Sequence, residues 1–157
     1  MRMEVQSPDA REYLAGVRDA VLELERTDLQ LQALRLHSQD SGDMFAPRVA
    51  STPKDVDGSA KMAAMMDRQA VLERRRQVCV NARQSVWRIA YGGPEGGLER
   101  ALGPQYADAV WMRVGQALKW GAIGSMMDCT GPTVRRWYEV ACDYLDSVGL
   151  GYSGIEA

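Results

Sequence analysis

Ile123-Gly124-Ser125-Met126-Met127-Asp128-Cys129-Thr130-Gly131-Pro132-Thr133-Val134-Arg135-Arg136-Trp137 is the stretch that decides the fold of this 157-residue chain. Two helices that cross steeply need a small residue where their backbones approach and apolar residues a turn to either side. Gly124 supplies the small residue. Ile123 and Met127 share one face, Cys129 plugs the turn, and Val134 with Trp137 repeats at i, i+3 on the next helix. Asp128 falls where such turns need left-handed backbone, which Asp tolerates better than most side chains. Thr130 is placed to cap the second helix, which opens at Gly131; Pro132 sits in the first turn, where its missing N–H loses no bond. The spacing predicts a helix-turn-helix.

With those residues in view, positions 105–148 resemble the fourth region of bacterial sigma factors, and more closely the phage late-gene transcriptional regulators that share the module. The matching residues are Trp120 leading into Ala122-Ile123-Gly124, Asp128-Cys129-Thr130 at the turn, and Val134-Arg135-Arg136-Trp137 in the second helix. In those families a long helical hairpin precedes the module. The resemblance implies a regulator that engages promoter double-stranded DNA, RNA polymerase, or both. It carries the DNA-facing surface onto Thr130, Gly131, Pro132, Thr133, Arg135 and Arg136. Gly131 and Pro132 have no side chain that donates to a base edge, so Arg135 and Arg136 are the strong donors of the set.

Charge restrains that expectation. Residues 105–148 hold Arg113, Lys119, Arg135 and Arg136 against Asp108, Asp128, Glu139, Asp143 and Asp146, a net of minus one. Phosphate neutralisation supplies most sequence-independent affinity for duplex, so the module alone should bind DNA poorly. Help is expected from the second long helix, where Arg68, Arg74, Arg75, Arg76, Arg83 and Arg88 face only Glu73 between residues 68 and 88. Arg68, Arg75, Arg76 and Arg83, related by seven-residue steps, form the candidate auxiliary basic face. The other reading of the same stripe is a solvated surface pairing with Glu23, Glu25 and Asp28 of a neighbouring helix.

Outward from the module, Ala107, Val110, Trp111 and Val114 predict a helix supporting its back, and Leu98 to Leu102 a short helix within a Gly/Pro linker at 93–104. Ser7-Pro8-Asp9 followed by Glu12 opens a first long helix, with Leu14, Val17, Val21, Leu24 and Leu31 as its apolar stripe and Leu22, Leu29 and Leu36 as a second line. Met65, Leu72, Cys79 and Val86 form the stripe of a second long helix from about Ser59 to Tyr91, widened by Met62, Ala82 and Ile89. Turn formers concentrate at 38–58 and predict a loop there. The chain therefore reads as all-α: an antiparallel, coiled-coil-like hairpin over 1–92, the linker, the module at 105–149 and a flexible tail at 150–157. The hairpin is expected to pack on the module or to form a homodimer.

Other classes find little support in the residues. No apolar run approaches the roughly twenty residues that cross a bilayer, and no secretion signal opens the chain, so a cytoplasmic location without membrane contact is expected. Cys79, Cys129 and Cys142 are spaced too widely for a zinc knuckle and read as reduced core thiols, so neither a metal nor a cofactor is expected. His37 is the only histidine and stands beside a polar segment. Nothing is spaced to work with it, and Asp143 with Asp146 reads as a solvated outer face, with Val140, Ala141, Tyr144, Leu145 and Val148 turned inward. The chain is thus expected to have no catalytic site and no small-molecule substrate. The competing reading is a non-enzymatic phage structural, packaging or adaptor protein whose helix-turn-helix serves protein packing.

Overall fold

The computed structural model of the chain describes residues 9–44, 55–92 and 96–149, and these are helical, with no strand among them. The order is α1 (Ala10–Met44), α2 (Asp55–Ala90), α3 (Gly97–Ala101), α4 (Pro104–Val110), a π-helical turn (Trp111–Gly115), α5 (Trp120–Met126) and α6 (Gly131–Val148). The expected tail at 150–157 lies outside the described residues, as do 93–95 of the linker. Two compact units divide the chain, one made of Met1–Leu22 with Cys79–Ala157 and the other of Glu23–Val78.

In the first unit, the start of α1 and the end of α2 share a core with the C-terminal helices: Leu14, Val17 and Val21 join Val86, Ile89, Leu98, Val110, Val114, Ala141, Cys142 and Leu145. The helix opens at Asp9, whose carboxylate accepts the Glu12 N–H at 2.8 Å; Ser7 and Pro8 of the expected opening lie outside the described residues. A second carboxylate, Asp146 of α6, accepts the Ala10 N–H at 2.7 Å, satisfying another orphan donor of α1. Asp146 therefore does not stand in a merely solvated row. On α6 Cys142 is buried instead of Val140, which is 41% exposed.

The support helix departs from regular α geometry after Val110. The Gln116 N–H reaches the Trp111 carbonyl at 3.0 Å, five residues back, and Leu118 reaches Met112 at 3.0 Å, six back. A β-carbon on Gly115 would stand 2.3 Å from the Trp111 ring, so the widened turn closes over the indole only because this residue has no side chain. Trp87 meets the same indole edge-on, ring centres 5.0 Å apart.

In the second unit, Leu24, Thr27 and Leu31 of α1 and Leu72 of α2 are buried. The Thr27 hydroxyl donates to the Glu23 carbonyl at 2.9 Å, which is how a buried polar group is satisfied within a helix. Arg76 of α2 bonds Asp28 of α1 at 2.8 Å. The second leucine line does not join this core: Leu29 and Leu36 are 66% and 56% exposed, and Met62 of α2 is 56% exposed. A helix buries one stripe when it has one partner, and these side chains lie off it.

The expected loop at 38–58 is shorter than its composition suggests. Residues 38–44 continue α1 and 55–58 begin α2, while 45–54 lie outside the described residues. Extending an existing helix fixes one residue per added bond, so polar residues and a lone Gly42 cost only tenths to about 1 kcal/mol each.

Candidate nucleic-acid interface

Residues 120–148 form a short helix, a four-residue turn at 127–130 and a long helix, and the turn is built by the residues its sequence named. Gly124 is buried where the backbones touch: a β-carbon there would lie 2.7 Å from the Cys129 carbonyl oxygen and 3.0 Å from the Gly131 nitrogen. The Met127 N–H donates to Ile123 at 3.0 Å and the Cys129 N–H to Gly124 at 2.9 Å, closing α5. Asp128 takes φ 54°, the left-handed conformation expected of it. Thr130 is extended, and its hydroxyl accepts the Thr133 N–H at 3.4 Å as the cap of α6. Beneath the turn, Ile123, Val134 and Ala109 form a small core ringed by Met112, Leu118, Trp120, Met127, Cys129 and Trp137.

The six candidate positions separate by role. Thr130 and Thr133 spend their hydroxyls on each other at 2.9 Å. Gly131 is turned toward α5, a β-carbon there standing 3.3 Å from the Trp120 carbonyl carbon, so it serves the helix crossing rather than an outward surface. Pro132, Arg135 and Arg136 are exposed. Neither arginine makes an ion pair with any described residue.

Acidity of the module is settled elsewhere. The guanidinium of Arg11, at the start of α1, bonds Glu139 at 2.6 Å and Asp143 at 2.8 Å and lies 3.6 Å from Asp146, which are all three acids of α6. These neighbours hold the Arg11 cation well above the usual guanidinium basicity, the Asp143 bond contributing most. Asp108 accepts the Tyr91 hydroxyl, and burial together with that bond raises the phenol above its ordinary range. Of the five acids counted over 105–148, only Asp128 is left without an ion pair or side-chain hydrogen bond.

Arg18 and Arg113 lie in the same unit. Arg113 stacks on Trp120, its guanidinium carbon 4.2 Å from the ring centre, and donates to the Leu118 carbonyl at 3.0 Å. Its basicity is lowered, first by burial and then by the nearby charge of Arg18, with Arg135 adding to the same effect. Trp120 is held in turn by Tyr138, edge to face at 5.2 Å. The residue pattern assigns no role to Arg11 or Arg18 and counts Arg113 only toward the charge of residues 105–148. A signal existed, since Arg11 and Arg18 stand seven apart beside the stripe of Leu14, Val17 and Val21.

The auxiliary face is only partly available. Arg76 is paired with Asp28, as the solvated-surface reading expects, and Arg83 packs 5.4 Å from the Trp111 ring centre. Arg68 and Arg75 are exposed. His37 is exposed, Cys79 and Cys142 are buried, and Cys129 is half-buried. Burial pushes the Cys142 thiol up to about 12. No described helix is long and apolar enough to cross a membrane. Comparison with protein families, with curated proteins and with solved structures gives no match.

Proposed function

We propose that this chain is a transcriptional regulator of the phage or prophage type, in which α5, the turn and α6 act as a helix-turn-helix on promoter DNA. The observation that carries the reading is the division of charge along α6. Arg135 and Arg136 stand exposed and unpaired among the described residues at the start of the helix, while the three acids of its later turns gather about the single cation of Arg11, which offsets part of their charge. An anion approaching the first turns of α6 therefore meets two guanidinium groups rather than the net acidity that the residue count suggests. Arg68 and Arg75, in the unit Glu23–Val78, are exposed. RNA polymerase is the natural partner for such a regulator, and recruitment its mechanism.

The test is a titration of labelled duplex from the genomic region flanking the gene, against random duplex of equal length. The wild-type chain is expected to prefer the genomic duplex and to lose at least about tenfold in affinity between ~50 and ~200 mM salt. Arg135→Ala with Arg136→Ala should abolish that preference with an unchanged melting temperature. Equal binding by the double variant refutes the reading.

A second reading is supported by the exposed Leu29, Leu36, Met62, Met66 and Val78, all in the unit Glu23–Val78. Apolar side chains gathered on one unit suit a protein contact, as in an adaptor, a packaging component or a homodimer that doubles the DNA contacts. Binding to a protein through them responds little to salt, which separates the two readings.

A further inference from the structure

Arg18, Arg113 and Arg135 come from three elements, α1, the π-helical turn and α6, and none of them makes an ion pair with a described residue. Helix register brings the first and last together. Along α1 and α6 the contacts run in opposite chain order: Ala10 meets Asp146, and Arg11 meets Asp143 and Glu139. Seven residues on from Arg11, about 10 Å along α1, stands Arg18 on the same side of the helix; eight residues back from Asp143, about 12 Å along α6, stands Arg135. Arg113 lies close enough to feel the charge of both.

Arg18 makes no ion pair with a described residue. Its Nε is covered and has no acceptor, yet the residue as a whole is partly exposed, so the cation is not sealed in. A covered donor without an acceptor is unfavourable, and gathering three like charges adds to the cost. Arg113 is held in place by the Trp120 ring and the Leu118 carbonyl rather than by any carboxylate. Nothing in this cluster opposes its charge, whereas a few turns along the same helix pair Arg11 meets three acids at once.

We propose that Arg18, Arg113 and Arg135 together hold a single phosphate of the DNA backbone beside the first turns of α6. The inference rests on the DNA-binding reading and deepens it, giving the start of α1 a direct part in docking the duplex. Guanidinium groups converging from three elements suit a tetrahedral oxyanion, which offers several acceptors in different directions. A backbone phosphate carries no sequence information, so this contact sets register and affinity while Arg136, which stands outside it, discriminates.

The experiment compares the wild-type chain, Arg18→Met, Arg18→Lys and the Arg135→Ala, Arg136→Ala double variant, on genomic and random duplex across a salt series. Arg18→Met should weaken both duplexes by the same factor, about five- to tenfold at low salt, and reduce the slope of log affinity against log salt by about one. Arg18→Lys should keep most of the slope, and the melting temperature of Arg18→Met should stay level or rise as the unopposed charge is removed. An unchanged slope in Arg18→Met, beside a double variant that has lost its preference for the genomic duplex, overturns the phosphate site and leaves the DNA reading standing. A large fall in the melting temperature of Arg18→Met assigns the residue a structural role and likewise overturns it. Failure of the wild-type chain to bind any duplex removes both.

Discussion

Arg11 and Glu139 stand 128 positions apart in the chain and their side chains meet at 2.6 Å. This bond ties the first turn of α1 to the middle of α6, and it places a cation among Glu139, Asp143 and Asp146, which would otherwise repel one another.

Arg11→Ala should therefore lower stability by roughly 1 kcal/mol, a modest figure because the groups are substantially exposed and screened. Chemical denaturation at low and high salt measures it, and the loss should shrink as salt rises. On the proposed reading of α6 as the helix that meets DNA, duplex affinity should fall in the same variant, since three uncompensated carboxylates are left on it.

Gly124→Ala and Gly121→Ala should have opposite signs. A methyl at Gly124 meets the Cys129 carbonyl at 2.7 Å, whereas nothing lies within 4 Å of one at Gly121. The first should cost about 1–3 kcal/mol despite its better helix propensity, and the second should gain about 0.5 kcal/mol. Thermal melts of the pair read the contrast directly, and two stabilised proteins would show that the helices do not cross at Gly124.

Asp128→Gly should stabilise the turn by about 0.5–1 kcal/mol, because φ 54° is strained for any residue with a β-carbon. It also removes the module's one acid without a side-chain partner. Duplex binding at low salt should strengthen, and an unchanged or weaker affinity would place the turn away from the polyanion.

Alkaline pH should weaken the fold through Cys142. Its folded-state value is raised from 9.0 to about 12 by burial, so the unfolded chain gives up its proton first. Stability is fully present below about pH 9 and declines from there toward about pH 12, by roughly 1 kcal/mol per unit at most. Tyr91 and Tyr138, both raised by burial, add to the decline above pH 10. Urea midpoints at pH 8 and pH 10 test this, and Cys142→Ala should flatten the difference.

Local chemistry makes the turn legible in the sequence. A glycine at the crossing, an aspartate in left-handed backbone, a threonine cap and a proline in the first turn each act over a few residues, so their order alone fixes the geometry they need. The apolar stripes of both long helices were readable for the same reason: a period close to seven implies a buried line, and Leu14, Val17, Val21, Leu24, Leu72, Cys79 and Val86 are buried. Periodicity alone did not separate that line from Leu29 and Leu36, which repeat as regularly and face outward. Which of two stripes is covered depends on where a neighbour lies.

Tertiary structure alone decided the electrostatics. A count along the chain gives residues 105–148 a net of minus one, yet the acids of α6 are answered by Arg11 from the far end of the sequence, and Arg18 and Arg113 are brought toward Arg135. Coulomb interactions depend on distance in space and on the medium between the charges, not on separation in sequence. The residues themselves thus specified the helices and the turn, while the packing of α1 along α6 determined which charges of that turn remain free to meet a partner.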